Sequence, residues 1–321
     1  MKKNLISQKK IFKISKKGDW NDKIIIKKKF FESEKTNQIN KLKKKLLKIR
    51  EGRIKPLIDK KIILSWNSIM LKGILSSYQS TGDEKYLSLA IKNANFISNK
   101  FLKNKNLIRV YGSRINAFLE DFAHTISAFI KLFETTQNIK YLENARKLME
   151  DSIRLFYCKK NKMFYFSGTN NEKLLAKKIE IFDNVIPSSN SVMFYNLLIL
   201  GKIYNDKLYI NLYNEMTKKL KHYLNNFEFM SNWIYINEIN QKMINEIEIR
   251  DISYKHKITK EINSWYFPNK ILMYNNRPNS DKIKYENSKL NIYLCRNNVC
   301  DEAIHSIKNL KNTITFKPFS Y

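Results

Sequence analysis

Acidic side chains are the residues of this chain with the clearest chemical potential. Glu120 and Asp121 stand side by side in AFLEDFAHTI, Asp183 stands in FDNVIPSSNSVMFYNLL, and Asp59 stands in PLIDKKIILSWNSIM. Two carboxylates roughly 5 to 9 Å apart can cleave a glycosidic bond, one as acid and the other as base or nucleophile. Neighbours on a helix diverge, so Glu120 and Asp121 cannot form that pair together. Asp121, Asp183 and Asp59 are the candidate catalytic residues, provided that the fold brings them together.

An ordinary structural role explains Asp121 equally well, since it could form an ion pair with Arg114. The pair Trp66-Asn67 begins a helical pattern and has two interpretations as well. An aromatic face stacks on a sugar ring while an amide both donates and accepts, which is typical of carbohydrate sites. Alternatively, Trp66 packs in the core and Asn67 makes a capping or inter-helix hydrogen bond.

The stretch DNVIPSSNS predicts a helix start with polar groups around it. Pro187 biases the residue before it away from helix, and Ser188 or Ser189 then caps the helix. Asn190 falls in the first turn, where free backbone N–H groups can hold an anion or a sugar hydroxyl. A well-capped helix alone would account for the serines and the proline. The predicted ligand-binding residues are Trp66, Asn67, Arg114, Glu120, Ser188 and Asn190.

Cysteine and histidine give no sign of a metal or a cofactor. The cysteines are Cys158, Cys295 and Cys300, an odd number with no zinc spacing, so we expect idle thiols in a reducing compartment. Of the four histidines, only His124 stands near the carboxylates, which disfavours acid–base chemistry by histidine.

Composition excludes several classes of protein. The chain has 321 residues and is 43% hydrophobic, which is ample for a large core. No apolar run is long enough for a membrane span or a signal peptide, so we expect a cytoplasmic protein without membrane contact. The net charge of +31 suits nucleic acid, but the lysines are spread along the whole chain without any nucleic-acid-binding motif. Nucleic-acid binding is therefore the weakest hypothesis.

An internal repeat indicates helical hairpins. STGDEKYLSLAIK (80–92) reappears as TTQNIKYLENARK (135–147) at a constant offset of 55, and a fainter third unit covers 189–225. Stacked hairpins of this length favour a toroid. Elsewhere we expect a helix within 31–50, a β-hairpin arm at NKMFYFSG, an extended piece at SNWIYIN and a strand at KLNIYLC.

Four stretches, the three that hold the carboxylates and IYLCRNNVC, occur in an order and spacing that resemble a known family. They resemble the thioredoxin-domain-containing proteins that include spermatogenesis-associated protein 20. That family joins an N-terminal thioredoxin-like domain to an α/α toroid, an all-α fold with short β excursions. The toroid is similar to those of six-hairpin glycosidases and N-acylglucosamine 2-epimerases.

The resemblance implies a division of the chain and a function. We expect an extension at 1–29, the toroid at 30–290 and a C-terminal strand and tail at 291–321, without the thioredoxin-like domain. The toroid's central cavity would bind a carbohydrate-like ligand, and any reaction would be glycosidase-like or sugar-isomerase-like. The alternative is a non-catalytic scaffold or remnant that docks a separate thioredoxin-like chain.

Overall fold

The computed structural model describes residues 12–13, 17–25, 27–28, 36–103, 106–173, 175–250, 257–274, 290–296 and 299–314. The chain divides into two compact units, Met1–Lys60 and Lys61–Tyr321. In the first unit, strands β1 (Phe12–Lys13) and β2 (Lys27–Lys28) pair antiparallel and helix α1 spans Thr36–Glu51. Phe12 and Ile39 are buried together with Leu42 against them. The helix expected within 31–50 is confirmed from residue 36 onward.

The second unit is built on helical hairpins. Within its described residues, the hairpins are α2 (Leu64–Thr81) with α3 (Glu84–Lys100), α4 (Leu119–Thr136) with α5 (Ile139–Phe156), and α6 (Ser189–Tyr204) with α7 (Lys207–Leu220). Helix α4 packs against both α2 and α6, and each of these inner helices also packs against its own outer partner. The predicted all-α class is confirmed, and this layering of inner and outer helices is that of an α/α toroid.

The hairpin turns share one construction, which explains the internal repeat. Each inner helix ends on a residue in the left-handed region: Gly82 (φ 69°), Gln137 (φ 57°) or Asn205 (φ 51°). The next residue, Asp83, Asn138 or Asp206, accepts a backbone N–H bond and caps the outer helix. A left-handed C-cap followed by an Asx N-cap reverses the chain within two residues.

Short strands join the hairpins. Strands β3 (Leu102–Lys103) and β4 (Asn106–Leu107) pair antiparallel, as do β5 (Tyr157–Cys158) and β6 (Met163–Phe164). The second pair confirms the predicted β-hairpin arm. A 3-10 turn at Leu224–Phe229 leads into helix α8 (Ser231–Gln241). The prediction of an extended SNWIYIN was wrong, because Trp233, Ile236 and Ile239 recur every three residues and form the buried face of a helix.

A mixed sheet follows the helices. In the described residues its order is β10-β9-β7-β8, from strands β7 (Asn245–Arg250), β8 (Lys270–Tyr274), β9 (Asn291–Arg296) and β10 (Val299–Cys300). Strand β9 confirms the expected strand at KLNIYLC. Strands β7 and β8 run parallel, with helix α9 (Lys257–Ser264) between them in sequence, and helix α10 spans Ile307–Thr313. The sheet has its own apolar cluster, which includes Ile247, Leu272 and Leu294.

A disulfide joins two of the cysteines. Cys295 and Cys300 lie opposite each other in the antiparallel β9–β10 pair and are bonded, while Cys158 is free. The expectation that all three cysteines are idle thiols was therefore wrong for this pair. Among the described residues, no helix is long and apolar enough to cross a membrane.

Candidate functional site

Asp121 joins the starts of two inner helices. Its side chain is completely buried, and Oδ1 accepts a hydrogen bond from the backbone N–H of Ser65 at 3.1 Å. Oδ2 accepts from the backbone N–H of Phe118 at 3.0 Å and from Arg109 Nη1 at 2.9 Å. Burial raises the pKa of Asp121, while Arg109 pulls it down. The ion-pair partner of Asp121 is thus Arg109; Arg114 is exposed in the preceding loop.

Glu120 extends the same network. Ser65 Oγ donates to Glu120 Oε1 at 2.6 Å, and Arg109 Nη2 lies 3.9 Å from Glu120 Oε2. Helix α2 needs this help, because its N-cap residue is Ile63, whose side chain cannot accept a hydrogen bond. Asp121 of α4 therefore supplies the cap that α2 lacks in its own sequence, and Glu120 holds the side chain of the capped residue Ser65.

Trp66 and Asn67 follow Ser65 but point away from one another. The Trp66 side chain is 61% exposed. Asn67 Nδ2 donates to the carbonyl of Ile63 at 2.8 Å, and Asn67 Oδ1 accepts from Asn93 Nδ2 on the outer helix at 3.4 Å. Asn67 thus bonds its own helix start to α3, while the indole faces solvent.

A second polar network surrounds the start of α6. Asp183 Oδ1 accepts from the backbone N–H of Ser188 at 2.8 Å and from Ser191 Oγ at 3.0 Å, and Oδ2 accepts from the backbone N–H of Asn232 at 2.8 Å. The Ser188 side chain caps α6 through the N–H of Ser191. This network ties the loop before α6 to both α6 and α8.

Asn190 lies completely buried in the first turn of α6. Its Oδ1 accepts from the backbone N–H of Phe164 at 2.8 Å, and its Nδ2 donates to the carbonyls of Phe164 and Glu180, each at 2.9 Å. Asn190 therefore bonds strand β6 and the loop before α6 to this helix. Of the predicted residues, the structure thus brings Glu120 and Asp121 into one network and Asp183 and Ser188 into the other. Trp66, Asn67, Arg114 and Asn190 lie outside these two networks. Asp59 is exposed in the first unit.

A polar cavity of the second unit lies toward the other end of the inner helices. It has a volume of about 460 Å³, and we call it the inner-helix cavity. Side chains from α2, α4, α6 and α8 line it, and the segment from α9 to β8 forms its remaining wall. Its described lining residues are Ser76, Gln79, Ser80, Lys131, Glu134, Tyr195, Tyr235, Asn263, Ser264, Trp265, Tyr266, Phe267, Pro268, Lys270 and Leu272.

Glu134 is the titratable centre of this cavity. Burial raises its pKa from 4.5 to about 7, although Lys131, Lys270, the Leu272 backbone and Lys72 all favour its charged form. A carboxylic acid with a pKa near 7 can gain or lose a proton at physiological pH, which suits a general acid or base.

The lysines around Glu134 are perturbed in the opposite sense. Burial lowers the pKa values of Lys72 and Lys270 to about 8 and also lowers that of Lys131. Lys270 Nζ donates to the carbonyls of Ile262 and Trp265, at 2.7 and 2.9 Å. Within the described part of the chain, the ammonium groups of Lys72 and Lys131 have no hydrogen-bond acceptor. The cavity therefore holds positive charge that the protein neutralises only in part.

His124 and Ser127 lie on the same face of α4 as Lys131 and Glu134, at helical spacings of three and four. Both side chains are buried, and His124 Nε2 and Ser127 Oγ have no hydrogen-bond partner among the described residues. Burial first, and then Lys72, lower the pKa of His124 to about 3, so the imidazole is neutral at pH 7. A continuous polar stripe thus runs along α4 to the cavity.

Sequence reasoning missed the cavity residues. Lys131 and Glu134 interrupt the apolar pattern of α4, and a charge within a helix that is buried on most sides was the available signal. Lys270 and Trp265 come from a segment more than 100 residues further along the chain, so no local spacing could connect them to α4. In the ranges that the structure describes, no group of three or more His, Cys, Asp or Glu could hold a metal ion.

Comparisons with known proteins find relatives by sequence, although no family model matches the chain. An uncharacterized protein of Caenorhabditis elegans is 25% identical over 300 residues, covering 85% of this chain and 40% of that protein. Human spermatogenesis-associated protein 20 is 26% identical over 170 residues, covering 49% of this chain and 22% of that protein. The chain spans less than half the length of these relatives.

Solved structures give a weaker likeness. A GH76 α-mannanase of Bacteroides thetaiotaomicron has a TM-score of 0.42 at 15% identity, covering 53% of this chain and 46% of that one. A cellobiose 2-epimerase of Bacillus thermoamylovorans has a TM-score of 0.41 at 15% identity, covering 49% of this chain and 43% of that one. Likenesses at this level bear on neither a substrate nor a reaction. By sequence, the chain is similar to spermatogenesis-associated protein 20 over about half of its own length, in the human and the mouse protein alike.

Proposed function

We propose that the inner-helix cavity binds a small carbohydrate-like ligand. The observation that carries this proposal is a cavity of about 460 Å³, within the usual range of small-molecule sites, whose wall mixes polar side chains with aromatic rings. Gln79, Asn263 and Glu134 offer donors and acceptors to hydroxyl groups, and the exposed ring of Tyr266 offers a face for a sugar ring.

Within this proposal, Glu134 is the acid or base of any reaction on the ligand. Its pKa near 7 and its position in the cavity wall support that role. The networks of Asp121 and Asp183 instead use their carboxylate oxygens on backbone N–H groups. Catalytic roles for Asp59, Asp121 and Asp183 and ligand contacts by Trp66, Asn67, Arg114, Glu120, Ser188 and Asn190 stay predictions.

A second candidate function is the docking of a separate thioredoxin-like chain. It is favoured by one observation: Trp66 and Met70, four residues apart on α2, are 61% and 60% exposed. Large apolar side chains on one helix face are typical of interaction surfaces. This scaffold role would need no ligand in the cavity.

A thermal-shift series tests the first candidate. Wild type, Gln79→Ala, Asp121→Asn and the control Glu143→Gln, an exposed residue of α5, are each heated with neutral and phosphorylated mono- and disaccharides. Ligand at a hundredfold over its Kd adds about 2.7 kcal/mol, a shift of a few degrees. We expect the shift in wild type and Glu143→Gln and a smaller one in Gln79→Ala.

Two results would count against the proposal. A shift lost only in folded Asp121→Asn would place the ligand at the helix starts instead of in the cavity. If no sugar of either kind shifted the wild type, the scaffold would be favoured, and pull-down of a thioredoxin-like protein by wild type but not by Trp66→Ala would be the next measurement.

A further inference from the structure

We propose that the cavity's ligand carries a phosphoryl group, which is held by the ammonium groups of Lys131 and Lys270. This inference rests on the proposed function and names the ligand class of the same cavity: a phosphorylated sugar or a similarly hydroxylated phosphate ester.

The charge balance of the cavity is positive. Among its described lining residues, Lys131 and Lys270 are basic and Glu134 alone is acidic. Lys72 lies close enough to interact electrostatically with both Lys131 and Glu134. The two lining ammonium groups, with that of Lys72 nearby, thus outnumber the one carboxylate in this part of the structure. An anion entering the cavity would be attracted by the excess charge, and more strongly there than in bulk water.

Lys131 has the clearest need for an anionic partner. Its ammonium is partly buried in the cavity wall, and no described residue accepts a hydrogen bond from it. A charge removed from water without a partner is costly, so proteins pair such charges with a counter-ion or a ligand. Phosphoryl oxygens are strong acceptors for lysine, and they would satisfy the N–H groups of Lys131.

Two backbone carbonyls fix the position of the Lys270 ammonium, which can therefore also bind a phosphoryl group. The carbonyls of Ile262 and Trp265 accept from its Nζ, which uses two of its three N–H groups in the described structure. The remaining N–H can serve a ligand. Because Lys131 comes from α4 and Lys270 from β8, the two ammonium groups approach the cavity from separate walls, and both act on Glu134. Two cations on separate walls suit a group with several charged oxygens.

Glu134 then responds to the ligand. A phosphoryl anion beside this carboxylate raises its pKa further, because like charges disfavour ionisation. Glu134 already titrates near pH 7, so the complex takes up a proton at pH 7.5. The phosphoryl group and a charged Glu134 compete for the same lysines, and protonation of Glu134 removes that competition. The neutral acid can also donate a hydrogen bond to a phosphoryl oxygen.

Calorimetric titration of the full chain tests the inference. Glucose, glucose 6-phosphate, glucuronate and inorganic phosphate are titrated into wild type, Lys131→Met, Glu134→Gln and Lys140→Met; Lys140 is an exposed lysine of α5. We expect glucose 6-phosphate to bind wild type and Lys140→Met about equally and Lys131→Met at least about tenfold more weakly. Glu134→Gln should bind inorganic phosphate more tightly than wild type does.

Proton uptake gives a second readout. Titrations of glucose 6-phosphate at pH 7.5 in two buffers of different ionisation enthalpy should show net proton uptake with wild type and less with Glu134→Gln. Circular dichroism of each variant checks the fold. If Lys131→Met fails to fold, Lys131→Gln takes its place, because glutamine removes the charge but keeps a polar side chain.

The outcomes separate this inference from the proposed function. Equal binding of glucose and glucose 6-phosphate, unaffected by Lys131→Met, would keep the carbohydrate proposal and overturn the phosphoryl group. Tighter binding of glucuronate would overturn the phosphoryl group in favour of a carboxylate. Weaker binding of phosphate to Glu134→Gln would contradict the charge argument. No binding of any of the four compounds would contradict both proposals.

Discussion

Asp121 caps a helix to which it does not belong: its Oδ1 accepts a hydrogen bond from the backbone N–H of Ser65, 56 residues earlier, at 3.1 Å. The same carboxylate accepts from Arg109 and from its own helix start. The stability of α2 is therefore tied to α4 through one buried charge. Asp121 therefore has a structural role, and a substitution at this position should lower the stability of the protein.

Asp121→Asn should destabilise the protein by about 3 kcal/mol, because it leaves Arg109 without its buried partner. Urea denaturation followed by circular dichroism measures this loss. The matched control is Glu150→Gln, which breaks an exposed pair with Arg146 and should change stability by less than about 0.5 kcal/mol. If both variants lowered the stability by the same amount, Asp121 would not have the structural role described above.

Glu134→Gln should alter how stability depends on pH. In wild type the pKa of Glu134 is raised to about 7, so the folded protein holds its proton more tightly than the unfolded chain. Below the unfolded pKa of 4.5, Glu134 is neutral in both the folded and the unfolded state and does not change the free energy of unfolding. As the pH rises from 4.5 to about 7, the unfolded chain loses this proton more readily than the folded protein, so the folded state becomes less stable. Wild type should therefore lose stability relative to Glu134→Gln between pH 5 and pH 8.

Thermal denaturation of both proteins at pH 5, 6, 7 and 8 measures that difference. The expected gap grows with pH by up to about 1.4 kcal/mol for each unit by which the pKa is raised. A constant gap across this range would mean that Glu134 titrates normally in the folded protein.

Lys131→Met should stabilise the ligand-free protein. Burial lowers the pKa of Lys131, so keeping its ammonium charged is costly at neutral pH, and an apolar chain of similar length avoids that cost. We expect a rise in Tm of a few degrees at pH 7 that shrinks as the pH rises through the lowered pKa of Lys131 toward the ordinary value of 10.5, because the folded protein then holds a neutral lysine. The exposed Lys140→Met should leave Tm unchanged. A functional residue that lowers stability is a common compromise at binding sites.

Gln137→Gly should loosen the edge of the sheet. The Gln137 amide donates to the carbonyl of Leu272 at 3.1 Å and accepts from the backbone N–H of Tyr274 at 2.9 Å. Glycine tolerates the left-handed backbone of this position, so the loss of the two bonds dominates, at about 1 kcal/mol for each bond. Hydrogen exchange should quicken at the Tyr274 amide more than at Ile247, within the β7–β9 ladder. Unchanged protection of Tyr274 would show that this bond does not hold the strand.

The helical hairpins were predictable because their signals are local. Asp83 as a helix cap and the offset of 55 follow from patterns within a few turns of chain, and both appear in the structure. The inner-helix cavity was not predictable, because Lys131 and Lys270 are 139 residues apart and are brought together by the packing of β8 on α4.

The roles of single side chains were also hidden in the sequence. Trp66 begins a helix with apolar residues every third or fourth position, yet its face of α2 is the exposed one. The odd number of cysteines did not predict the disulfide between Cys295 and Cys300. This bond depends on the register of β9 and β10, which places the two residues opposite each other. Both outcomes depend on which neighbours a helix or strand acquires, and periodicity does not specify those neighbours.

The bond between Gln137 and Tyr274 also orders events during synthesis. A ribosome releases the chain from its N-terminus, so each hairpin can fold from local contacts as it emerges. The hydrogen bond between Gln137 and Tyr274 can form only after strand β8 has been synthesised, because Tyr274 comes 137 residues later in the chain. During this interval Lys131 and Glu134 lie open to water, and their desolvation is postponed until the last wall of the cavity arrives. Ribosome-bound chains stopped before and after residue 274 should therefore differ in the cavity and agree in the helical hairpins.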